Sequence, residues 1–237
     1  MPTEDNVRKS LPSYLRAIVP TQAQIHRALG RQQNSFSADT TFIRAIDNPS
    51  FVGSASPFVS HRFGPPVPEF LTEENRLTFT WLYLALSENV AVWESQFAKN
   101  NRGAGNGFHI ARKAEDSGLI ASIRFERSLK LWSLTDDHSS RLGIHDIVSS
   151  EDHEACQWLG CAIRDAMLML DPSDRPDGFI YPSRRVKGAT AIALSDWSTT
   201  GLFETASVSL VRFVDSIAYS VFASDPMRTS PPALDFD

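Results

Sequence analysis

The sequence predicts an α+β fold, a single mixed-sheet domain with surrounding helices. Segments with strand character outnumber those with helical character and do not alternate regularly with them, which disfavours a doubly wound parallel sheet. Of the 237 residues, 42% are hydrophobic and 10% aromatic, enough for one substantial core. No internal repeat points to a solenoid or propeller.

Residues 1–40 read as a helical and linker extension. Pro12 and Pro20 interrupt it, Thr21 to Gly30 forms a short helix ended by its glycine, and RQQNSFSADT is a polar linker. The main domain is expected to span residues 41–225. A strand over Phe42 to Ile46 leads into Asp47 to Pro68, too rich in Pro, Gly and Ser for a regular element. Phe79 to Leu86 is an apolar run with three aromatics and fits a buried strand; Ser87 then caps a helix from Glu88 to about Lys99. Ile120 to Arg127 and Leu129 to Leu134 are the next strands. Ser149 and Asp152 mark the start of a helix running to Leu170, with Cys156, Leu159, Ile163, Met167 and Leu170 on its core face. Asp171-Pro172 stops it. Phe179 to Tyr181, Thr190 to Leu194 and Ser207 to Phe213 complete the strands, and residues 226–237 are expected to be a poorly ordered tail.

Composition narrows the function classes. No apolar run approaches the roughly 20 residues needed to cross a bilayer, and MPTEDNVRKSLP lacks a signal-peptide core. The expected setting is therefore cytoplasmic, with no membrane partner. Cys156 and Cys161 diverge around one helix and read as buried free thiols. The net charge of -5 argues against direct nucleic-acid binding, which leaves a basic footprint. Arg44, Arg62, Arg184 and Arg185 would then form a local positive pocket suited to a small anion. His145, Glu151, His153 and Glu154 match no zinc spacing, so no metal is expected.

The polar residues with chemical potential are Arg44 in FIRAI, Arg62 in SHRFGPP, Tyr83 and Glu94 in WLYLALSENVAVWESQF, and Ser183 in DGFIYPSRR. Guanidinium forks suit phosphate, a carboxylate can stabilise positive charge growing at an anomeric carbon, and a tyrosine can stack on a leaving base. Singly, each has a structural reading: surface arginine, core tyrosine, dipole-favouring glutamate, turn serine. Ser183 lacks the G-x-S-x-G setting of a hydrolase nucleophile.

In order and surroundings these segments resemble the RES domain, a family named after an arginine, a glutamate and a serine. FIRAI resembles its first arginine strand, SHRFGPP its second arginine loop, LYLALSENVAVWES its tyrosine-to-glutamate step, SLKLWSLTDDHSSRLGI its leucine-rich strand and leucine-glycine turn, and DGFIYPSRR with ATAIAL its serine segment. The resemblance runs from Phe42 to Trp197. Many members have Gly-Gly-Arg-Trp where this chain has Ser60-His61-Arg62-Phe63.

The resemblance implies a fold related to ADP-ribosyltransferases and a toxin of a toxin-antitoxin pair, partnered by an Xre-like helix-turn-helix antitoxin in a hetero-oligomer or found as a homo-oligomer. It implies NAD as substrate rather than cofactor, cleaved at the nicotinamide-ribose bond by a phosphorylase, with inorganic phosphate as co-substrate, or by a glycohydrolase. Arg44 and Arg62 would hold the phosphates, Tyr83 the nicotinamide end, Glu94 the ribosyl cation, and Ser183 would complete the pocket. Protein ADP-ribosylation and a non-catalytic binding role are the alternatives.

Overall fold

The structure, a computed structural model, describes residues 10–30, 33–68, 70–101, 106–135 and 137–232. Its centre is an eight-stranded mixed sheet in the order β1-β7-β8-β9-β3-β2-β6-β10. The strands are β1 (Gln33–Phe36), β2 (Phe42–Ile46), β3 (Trp81–Ala85), β6 (Leu119–Arg124), β7 (Leu129–Ser133), β8 (Gly178–Pro182), β9 (Thr190–Ser195) and β10 (Ser207–Arg212). All neighbours are antiparallel except β7 and β8. A separate ribbon pairs β4 (Ala98–Asn100) with β5 (Phe108–Ile110).

Alternation along the strands sorts their side chains onto two faces. In β3, Trp81, Tyr83 and Ala85 join the larger core cluster, while Leu82 and Leu84 join the smaller. The helices over the larger cluster include α1 (Gln22–Leu29), α2 (Glu88–Glu94) and α6 (His153–Leu168). Between α2 and α6 the chain forms the short helices α3 (Arg112–Ser117), α4 (His138–Arg141) and α5 (His145–Ser149). Behind α6 come α7 (Asp196–Glu204), whose Leu202 reaches the smaller cluster, and α8 (Ile217–Ser224).

Both predicted helix starts are capped, but at α6 the cap is Asp152 alone, because Ser149, expected to share a capping box with it, ends α5. Ser87 Oγ accepts the Val90 N–H at 3.3 Å, and Asp152 Oδ1 accepts the Glu154 and Ala155 N–H groups. Each such cap contributes about 1 kcal/mol. Helix α2 is shorter than predicted: Gln96 has φ of 64°, a left-handed conformation that cannot continue a right-handed helix. On α6, Cys156, Leu159, Ile163 and Met167 are buried as the spacing predicts, and both cysteines are free.

Two segments differ from their sequence reading. Leu11, Leu15, Val19, Ile25 and Leu29 lie in the larger core cluster, and Tyr14 donates to Glu154 on α6 at 2.7 Å, so the N-terminal segment is part of the packed body. Within RQQNSFSADT, Gln33–Phe36 pairs with β7 as an edge strand. Exposed on both faces, β1 carries no apolar alternation for sequence reasoning to detect. At the other end, the Phe108 N–H donates to Met227 O and the Thr229 N–H donates to Phe108 O, anchoring the start of the expected tail; residues 233–237 lie outside the described residues.

Candidate active site

The site forms where β3, β8 and α2 meet the loop carrying Arg62. That loop lies directly on α6, and the contact depends on a glycine. A Cβ added at Gly160 would stand 2.0 Å from Phe63 O, so only a bare backbone lets the chain approach this closely. Gln157 Nε2 donates to Ser60 Oγ at 3.1 Å, and Phe63 is fully buried against Phe179 and Tyr181. Burying a phenylalanine contributes roughly 2 kcal/mol, which fixes the neighbouring arginine.

Glu94 ends α2 half-buried, and its carboxylate receives two hydroxyl protons. Ser183 Oγ donates to Oε1 at 2.6 Å, and Tyr181 Oη donates more loosely to Oε2 at 3.5 Å. The Ser183 oxygen also accepts the Arg185 and Val186 N–H groups. Its proton and its lone pairs are thus engaged, which makes Ser183 a positioning group for Glu94. Burial, reinforced by Glu94, pushes the Tyr181 hydroxyl well above its ordinary pKa, so it stays a neutral donor.

Tyr83 shares this face. Its hydroxyl oxygen accepts the Phe63 N–H at 3.0 Å, leaving its proton available, and burial raises its pKa. The ring stands edge-on to Tyr181 and to His61.

The two predicted arginines are placed differently. Arg44 sits where β2 and β3 separate, since these strands share only the pair Ile43↔Ala85. Its guanidinium bridges the gap, donating to the carbonyls of Tyr83 at 2.7 Å, Phe51 at 3.1 Å and Ser54 at 3.2 Å. Desolvation holds its pKa below the usual arginine range. Arg62 is only 8% exposed. One Nη2 proton goes to Val148 O, while Nε and Nη1 are buried with no hydrogen-bond partner among the described residues. The cation rests 5.1 Å from the Phe63 ring centroid and 5.5 Å from that of Tyr181.

Positive charge extends beyond Arg62. Arg184 Nη1 donates to Ser150 O at 3.3 Å, two residues from the carbonyl that Arg62 uses. At the first turn of α6, within reach of their charge, stands His153, held below its ordinary pKa by desolvation and then by Arg184, Arg62 and Arg185. His61 is lowered by desolvation, then by Arg44 and His153. The fold therefore brings together Tyr83, Glu94, Ser183 and Arg62, with Arg44 reaching them through the backbone of Tyr83.

Sequence reasoning missed Tyr181, His61 and His153 as neighbours of the site. For Tyr181 the signal was present: it lies on β8 two residues before Ser183, which follows directly on the strand's end, and alternation sets such residues on one face. The histidines carry no such signal, because only tertiary packing sets them beside the arginines. Among the described residues, no group of three or more His, Cys, Asp or Glu residues is placed to hold a metal ion, and no helix is long and apolar enough to cross a membrane.

A family model described as RES domain matches residues 41–214, most of the chain, and the chain belongs to that family. No curated protein and no solved structure matches it.

Proposed function

We propose that this RES-family chain cleaves NAD at the bond between nicotinamide and ribose, as the toxin of a pair whose antitoxin is an Xre-like helix-turn-helix protein. The observation that carries the proposal is a carboxylate fixed by two hydroxyls, Glu94 with Ser183 and Tyr181, beside a buried arginine with unmatched donors. A glycosyl bond to a pyridinium breaks with its electron pair leaving on the nicotinamide nitrogen, and positive charge builds at the anomeric carbon. Glu94, held in place before the reaction begins, opposes that charge at little reorganisation cost. The unmatched donors of Arg62 suit a diphosphate oxygen, because guanidinium forks bind such groups strongly. Tyr83 retains a proton for the nicotinamide end. An oxygen of phosphate or of water then bonds to the anomeric carbon, and water releases a proton as it does so.

The protein contributes no nucleophile to this scheme, which agrees with the full engagement of the Ser183 hydroxyl. No cofactor is required; NAD is the substrate and inorganic phosphate a co-substrate of the phosphorolytic route. The test is to incubate purified, antitoxin-free protein with NAD, with and without phosphate, and separate the products. Phosphate-dependent formation of ADP-ribose-1″-phosphate identifies a phosphorylase, and phosphate-independent release of ADP-ribose a glycohydrolase. Glu94→Gln, which keeps an acceptor for Ser183 but removes the charge, should lower turnover on the order of 100-fold with an unchanged melting temperature. Undiminished NAD loss in that variant would remove Glu94 from the mechanism, and no loss in the folded wild type would turn the reading to protein ADP-ribosylation or binding.

A further inference from the structure

The two edges of the large sheet are unlike. At one edge, β1 presents Gln33, Asn34 and Ser35, polar and exposed. At the other, β10 has the sequence SVSLVR and is exposed along its whole length, with Val208, Leu210 and Val211 at 39%, 43% and 46%. Arg212, at its end, is the only charge, and no proline or bulge interrupts the pairing of β10 with β6. Monomeric proteins ordinarily blunt such an edge with charge, proline or irregularity.

The hydrogen-bond phase of β10 is fixed by its inner partner. Its pairing runs from Ser207↔Arg124 to Arg212↔Leu119, and the next residue, Phe213, donates its N–H to Gly118 O at 2.8 Å. In an antiparallel ladder, pairs exchange hydrogen bonds at every second residue. Ser207, Ser209 and Val211 therefore bond inward to β6, and the N–H and C=O groups of Val208 and Leu210 point out from the sheet. Among the described residues no backbone group accepts or donates to them. Val208 and Leu210 also stand opposite Ile123 and Ala121 of β6, and so extend the face of the smaller core cluster past its last covered strand.

We propose that β10 pairs antiparallel with β10 of a second copy of this chain, about a two-fold axis at Ser209, joining two sheets into one. In this register each Val208 lies opposite Leu210 of the second copy, and both pairs exchange backbone hydrogen bonds. The apolar side chains meet on one face, and on the other Ser209 meets its own symmetry mate. The strand is self-complementary in charge as well, because the two Arg212 residues fall six positions apart, about 20 Å, well beyond the screening length of about 8 Å. A second copy is the occupant because every molecule carries this same uncovered edge and the register needs no other sequence to complete it. Helix α8, starting soon after β10, leaves Ile217 and Val221 exposed at 79% and 61%, further apolar surface close to the seam.

The test is the mass of the purified full-length chain in solution, by light scattering after size exclusion. A dimer is expected for the wild type and a monomer for Leu210→Lys, which sets a charge against Val208 in each half. Cysteine substitutions decide the register even if that variant folds poorly. Ser209→Cys should give a disulfide-linked dimer on mild oxidation, since directly opposed residues that do not exchange hydrogen bonds stand about 4.5 Å apart at Cα, within disulfide reach. Val211→Cys, on the same face but four positions from its own mate, should not cross-link. Cys156 and Cys161 are buried and do not compete. A monomeric wild type, a dimer unaffected by Leu210→Lys, or cross-linking at 211 in place of 209 would each overturn the proposal.

Discussion

Arg44 and Arg62 both lie near Tyr83, and the sequence presents them as equivalent, an arginine in a strand and an arginine in a loop, both suited to phosphate. The structure gives them different surroundings. Three N–H groups of Arg44 hold the carbonyls of Tyr83, Phe51 and Ser54 across the opening between β2 and β3, so much of its donor capacity maintains the backbone. Arg62 is more deeply buried yet satisfies one carbonyl, with Nε and Nη1 unmatched among the described residues. An arginine's chemistry is therefore legible in the donors left over after folding. By that measure Arg62 is the stronger candidate for ligand binding.

The most disruptive test of this contrast is Arg44→Met. It removes three charge-assisted hydrogen bonds and leaves carbonyls without donors, which should cost about 3 kcal/mol of stability, read as a lower denaturant midpoint with an unchanged slope. Any loss of NAD turnover should follow from the loosened β2-β3 opening. Arg62→Met should behave oppositely. A buried cation with unmet donors is itself costly, so the melting temperature should hold or rise while the KM for NAD climbs about 10-fold or more. If Arg62→Met unfolds the protein and Arg44→Met raises only KM, the assignments exchange.

A smaller effect separates the two hydroxyls on Glu94. Ser183→Ala removes the 2.6 Å donor and should lower kcat about 10-fold with KM nearly unchanged. Tyr181→Phe removes only the 3.5 Å contact and should fall well short of that. The predicted signature is a split in kcat without one in KM, since both residues orient a group that acts on the transition state. Equal losses in the two variants would mean that the carboxylate is held by the pair as a unit.

How much was legible beforehand follows the same physics. Strands β2, β3, β7 and β9 were readable because burial on one or both faces writes an apolar pattern into the sequence. Edge strand β1, exposed on both faces, left no such pattern, and helix α8, though capped by Ser216 Oγ on the Tyr219 N–H, is apolar almost throughout and has no polar face to announce it. At the site, Tyr83, Glu94 and Ser183 were found through their order along the chain, and the fold does bring them together. What the order could not convey was the division of labour between Arg44 and Arg62, because that depends on which carbonyls lie within reach once segment 47–68 and the end of α5 are packed.

The finest test concerns the histidines beside Arg62. Partial desolvation and neighbouring arginines keep His153 below its ordinary pKa, and partial desolvation, Arg44 and His153 do the same for His61. The unfolded chain therefore takes up protons first as the pH falls through the ordinary histidine value, and the fold loses stability there until the lowered folded-state values are passed. The melting temperature should decline between about pH 7 and 5, less steeply in His153→Gln. Both residues are substantially exposed, so solvent screens the effect and it should be modest. Adding ADP-ribose, the part of NAD that carries the diphosphate, should flatten the same slope, because an anion held by Arg62 and Arg184 restores the protonated imidazole. A slope insensitive to ADP-ribose would leave Arg62 buried and unmatched for some reason other than binding a diphosphate, and would dissolve the contrast with Arg44.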